Sequence, residues 1–107
     1  MKTDQPYLSH MADGIAAIES YVVAGRDTFL AQRIVQDAVI RNFEIIGEAA
    51  GKLSDAARAN SEIPWDRIIA FRNRLIHGYW GVDLLLVWDV VERDLPVLKR
   101  EVQRLLK

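Results

Sequence analysis

The sequence predicts an all-α protein, an antiparallel bundle of four or five helices forming one domain over 1–107. Three observations predict it. Apolar residues recur at three- and four-residue intervals through most of the chain. The strict alternation of a half-buried strand never persists. Prolines stand only at 6, 64 and 96, and the one hairpin-like dipeptide, Asp13-Gly14, falls inside a helical pattern.

The first helix is expected over about 4–23, with Leu8, Met11, Ile15, Ile18, Tyr21 and Val22 along one stripe and Gly25 ending it as a C-cap. Asp27 and Thr28 can cap a second helix that runs on to about 53. Its apolar face, Ile34, Val35, Ala38, Val39, Ile45, Ile46 and Ala49, is broad enough for a central position. Residues 54–60 read as a short helix or turn. Pro64 suits the first turn of a third helix over 64–77, where a missing N–H costs nothing, and Gly78 and Gly81 break it. Asp83 caps a fourth helix carrying Leu84, Val87, Trp88, Val91, Leu95, Leu98, Val102 and Leu105. Pro96 removes one backbone hydrogen bond and should kink or restart it.

Composition narrows the function. A net charge of −1 argues against a protein held on nucleic acid by bulk charge, so any anion site must be local. The cations are mostly Arg, ten against four Lys, which suits planar contacts to phosphate or carboxylate as well as plain solubility. No cysteine is present, which removes disulfide and zinc-thiolate chemistry. The two histidines, His10 and His77, are far apart in sequence, so neither a metal nor a cofactor is implied. No stretch approaches the roughly 20 apolar residues of a membrane span. The first residues lead into an amphipathic segment instead of a signal-peptide run, and the cytoplasm is the default location.

The chemistry-bearing stretch is 71–80, Phe-Arg-Asn-Arg-Leu-Ile-His-Gly-Tyr-Trp. Asn73 and His77 are four apart and share a helix face, so the amide can orient the imidazole. Arg74, three before His77, reaches the same side. Arg72 is offset by well over a quarter turn and would meet His77 poorly within one chain. Two copies packed about a two-fold axis could bring the Arg of one to the His of the other. A histidine near neutrality can act as acid or base, and guanidinium groups beside it suit a phosphodiester. Metal-free cleavage of RNA needs no more than these parts, using the 2′-hydroxyl as nucleophile. By spacing alone the plainer reading of His77 is a helix cap or a solvated surface group. Trp65, Trp80 and Trp88 read first as core or interface anchors. Glu44 and Glu48 read first as partners for arginine, with Arg41 and Arg72 in range, and only second as a carboxylate pair.

Arg72, four residues, His77, one residue and Tyr79 together match the Arg-x4-His-x-Tyr signature, and at these residues the chain resembles the HEPN-domain toxins of the HepT type. The likeness extends over nearly the whole chain. The run 41–49, Arg-Asn-Phe-Glu-Ile-Ile-Gly-Glu-Ala, resembles the family's second-helix motif, and Ile63-Pro64-Trp65 its lead into the signature helix. Gly81-Val82-Asp83, Val87-Trp88 and Asp94-Leu95-Pro96 are similar to its C-terminal helix. The resemblance implies a HEPN-type bundle, a homodimer with both signature helices in one cleft, and a metal-independent endoribonuclease acting as a toxin. It implies Arg72 and His77 as the catalytic pair, with Asn73 and Arg74 supporting, and RNA, including tRNA, as substrate. It implies as partner a minimal nucleotidyltransferase antitoxin that transfers AMP to Tyr79. The competing expectation is a non-catalytic helical module that presents substrate or nucleotide to a nucleotidyltransferase.

Overall fold

A computed structural model of the chain describes residues 2–78 and 81–106. Among these residues there are seven α-helices and no strand: α1 Gln5–Tyr21, α2 Arg26–Ala31, α3 Arg33–Gly51, α4 Asp55–Ala59, α5 Trp65–His77, α6 Leu84–Arg93 and α7 Leu95–Leu106, with a 3-10 turn Lys2–Asp4 in front. No described helix is long and apolar enough to cross a membrane.

The long helix α3 is the axis of the bundle. It packs against α1 on one side and α5 on another, and α2 folds back onto it. α7 lies on α1, and α6 joins α2 to α7. Leu8, Met11, Ile15 and Ile18 of α1 are buried at the expected helical spacing and meet Val39, Phe43 and Ile46 of α3 in one apolar core. Gly14 permits that approach, because a Cβ there would stand 3.0 Å from Ile46 Cγ1. Glu19 of α1 accepts a hydrogen bond from Lys99 of α7 at 2.9 Å across the outer seam.

Two expectations are corrected. The second helix is not continuous from 28 to 53. It breaks at Gln32, whose backbone is extended (φ −115°, ψ 110°). The break turns Phe29 inward, where it is fully buried with its ring 5.4 Å from that of Trp88. The carbonyls freed by the break are met by the Gln36 side chain, whose Nε2 donates to Phe29 O at 2.9 Å and Leu30 O at 3.2 Å. Ile34, expected on the buried face, is 78% exposed, because it lies five residues before Val39 and so about 140° around α3 from the buried side. The caps around the first loop also differ. α1 ends at Tyr21, and Gly25 stands at the N-cap of α2 with φ 93°, a conformation that favours glycine. Asp27 therefore lies in the first turn of α2 and makes no capping bond.

The remaining boundaries follow local chemistry. Ser54 caps α4, its hydroxyl accepting from Ala57 N–H at 3.1 Å. Asp83 caps α6, accepting from Leu85 and Leu86 N–H at 3.1 and 3.2 Å. Pro96 cannot donate one turn back, so the last helical stretch divides at Asp94 into α6 and α7. Trp65 and Trp88 are both buried, as core anchors.

Candidate functional site

The predicted site lies on α5. This helix begins beside Pro64, buries Trp65 and Leu75, and packs on α3. Its outer face carries Asp66, Arg67, Ala70, Asn73, Arg74 and His77, all exposed. That face holds no large apolar residue, so the fold itself does not need it covered.

His77 is the last residue of α5. Gly78 closes the helix, its N–H donating to Arg74 O at 2.9 Å, and Gly81 N–H then donates to Gly78 O at 2.8 Å. A Cβ on Gly78 would stand 2.9 Å from Arg74 O, so only glycine lets the chain leave the helix here without displacement. His77 and Arg74 line an open groove of about 360 Å3 between the end of α5 and the start of α6, with Val82, Asp83 and Leu86 across from them. Asn73 shares the face with His77, but no hydrogen bond joins them among the described residues.

Arg72 departs on the opposite course. Its side chain runs against α3, where a Cβ added to Gly47 would stand 2.2 Å from Arg72 Cβ and 2.7 Å from Arg72 Cγ. Its Nη1 pairs with Glu48 Oε2 at 3.2 Å, and its Nε is buried with no acceptor among the described residues. Five residues of helix separate Arg72 and His77 by about 140° around the axis. One chain thus sends the guanidinium to α3 and the imidazole to the α5–α6 groove, and does not bring them together. A second groove, about 440 Å3, lies between α1, α3 and the end of α5, with Tyr7, His10, Arg41, Glu48, Lys52 and Ile76 on its walls. The two histidines therefore face different grooves.

Sequence reasoning paired Glu44 and Glu48 with arginines, and the structure does so: Arg41–Glu44 at 3.4 Å and Arg72–Glu48 at 3.2 Å. It did not find Gly47. The only signal was a glycine inside an otherwise strong helix, which often marks a close approach of another element. Tyr79, the expected modification site, lies outside the described residues, as does Trp80. No group of three or more metal-ligating His, Cys, Asp or Glu side chains occurs among the described residues.

Comparison with known proteins adds what geometry does not. The family model described as "Ribonuclease HepT-like" matches residues 11–105. The chain is similar to the "Probable ribonuclease HepT" of Thermococcus cleftensis, 38% identical over 99% of this chain and 98% of that one. It is 33% identical to a "Putative RNase" of Caldanaerobacter subterraneus subsp. tengcongensis, over 100% of this chain and 97% of that one. It is also 42% identical, over 94% of its length, to the "Gamma-glutamylcyclotransferase and putative RNase" of Methanocaldococcus jannaschii, where it spans only 46% of the longer chain. No solved structure matches.

Proposed function

Starting from the fact that this chain belongs to the ribonuclease HepT-like family, we propose that it is a metal-independent endoribonuclease and the toxin of a toxin–antitoxin pair. The observation that carries the reading is the exposure of His77 at the end of α5, on a polar face that the fold leaves uncovered and beside a groove it shares with Arg74.

The reaction uses these groups as follows. His77 takes the proton from the ribose 2′-hydroxyl. The 2′-oxygen attacks the adjacent phosphorus, and the pentacoordinate phosphorane carries extra negative charge that Arg72 neutralises. A protonated acid then gives its proton to the departing 5′-oxygen. The products are a 2′,3′-cyclic phosphate and a free 5′-hydroxyl. Because Arg72 and His77 diverge within one chain, the site is completed by a second copy whose α5 packs on this one, the Arg72 of one copy facing the His77 of the other. Asn73 and Arg74 stand on the same face and support the imidazole and the phosphate.

The proposed antitoxin is a minimal nucleotidyltransferase. It directs the Tyr79 hydroxyl to the α-phosphorus of ATP, with release of pyrophosphate. Each AMP adds bulk and negative charge where an RNA phosphate must bind.

Purified protein incubated with RNA in EDTA should yield fragments ending in cyclic phosphate. His77→Ala should lower the rate at least roughly a hundredfold, the usual scale for losing a general base. Intact RNA with the wild-type chain rules the nuclease out and leaves a helical module that only presents substrate to a nucleotidyltransferase, while undiminished cleavage by the variant removes His77 from the site.

A further inference from the structure

We propose that Glu48 is a positioning residue that aims the guanidinium of Arg72, on a bed provided by Gly47. The inference rests on the assignment of Arg72 to the cleavage machinery.

Arginine is a poor catalyst when its long stem is free, because each rotamer places the charge elsewhere. Arg72 is restrained at two points. Near the backbone, Gly47 admits the stem so closely that a Cβ at position 47 would overlap Arg72 Cβ and Cγ. At the far end, Nη1 lies 3.2 Å from Glu48 Oε2 in an ion pair. Gly47 and Glu48 are neighbours in α3, so one turn of one helix supplies both restraints.

Stability accounts for only part of the pair. The Glu48 side chain is 58% exposed, so water screens the carboxylate and limits what it adds to folding, while the Arg72 side chain is 23% exposed. Meanwhile Nε is buried without an acceptor among the described residues, an arrangement that costs the fold something. Such a contact is better accounted for by what it does to the free edge of the guanidinium. With the stem laid down and Nη1 engaged, Nη2 is left as the terminal nitrogen for a phosphate oxygen. The carboxylate also remains beside the arginine, so the charge presented to the phosphorane is oriented without reorganisation at the moment of reaction. The opposite role, a carboxylate that masks Arg72, predicts a gain of activity when Glu48 is removed.

Two measurements on the full chain test this. In EDTA, Glu48→Ala should lower kcat for RNA cleavage roughly tenfold, leave KM within about twofold and leave the unfolding temperature nearly unchanged, while Glu48→Asp recovers part of the loss. Side-chain 15N spectra should show the Arg72 guanidinium signals shifting to the averaged values of a free arginine in Glu48→Ala. Unchanged or raised kcat in Glu48→Ala, or Arg72 signals that stay dispersed, overturns the proposal. If the wild-type chain cleaves nothing, the nuclease assignment falls instead, and if Arg72→Ala cleaves like wild type, the role of Arg72 in it falls; in both cases the spectra still report whether Glu48 orders the side chain.

Discussion

At the scale of single residues, the least expected is Asp4. It is buried to 1% exposure at the edge of the bundle, and the Ser54 hydroxyl and backbone N–H both donate to its carboxylate at 2.7 Å. These hydrogen bonds, the hydroxyl first, hold its carboxyl below the ordinary value, with burial acting the other way. The folded-state value is depressed, so the contact stabilises above the unfolded value near pH 4 and is lost as pH falls through the folded value. Asp4→Ala should therefore cost about 1–3 kcal/mol at neutral pH, read by urea unfolding. The deficit should shrink on acidification below about pH 4, and a deficit independent of pH would remove the carboxylate from the explanation. A buried aspartate at the N-terminus gave no warning in the sequence, because its partner lies fifty residues away. Gly47 is hidden for the same reason: its importance is a contact with Arg72, and no property of α3 alone reveals it.

At the scale of elements, the Asp83 cap and the effect of Pro96 were legible, while the caps around the first loop and the interruption at Gln32 were not. Asp83 and Pro96 act through atoms within a few residues, so their effects could be read directly. Gln32 is an ordinary helix former, and nothing around it forbids a continuous helix. The break is imposed by the burial of Phe29 against Trp88, and Gln36 makes it tolerable by bonding to Phe29 and Leu30 carbonyls. Gln36→Leu leaves those carbonyls without that partner and should cost about 1–2 kcal/mol, lowering the midpoint of thermal unfolding by several degrees. A midpoint equal to that of wild type would mean that water serves the carbonyls as well as the glutamine does.

At the scale of the whole molecule, the bundle covers one side of α5 and leaves the other to solvent. Arg72 and His77 end on different sides of that helix, which makes the proposed reaction a property of two copies. Mixing inactive Arg72→Ala and His77→Ala chains in equal amounts should then restore activity, up to roughly a quarter of wild type, because about half of the dimers are mixed and each of these retains one complete site of its two. No recovery after the mixed dimer has been shown to form would place the whole site within one chain.

The sequence by itself determined the helical class, most of the helix ends and the run of polar residues on α5, because each depends on spacing or on groups a few bonds apart. It also carried the signature that relates the chain to its family. Tertiary structure alone decided that Phe29 breaks a helix, that Gly47 seats Arg72, and that Arg72 and His77 open toward different neighbours. Those outcomes depend on which surfaces meet, and that is set by the burial of apolar area across the whole chain and not by any local stretch of it.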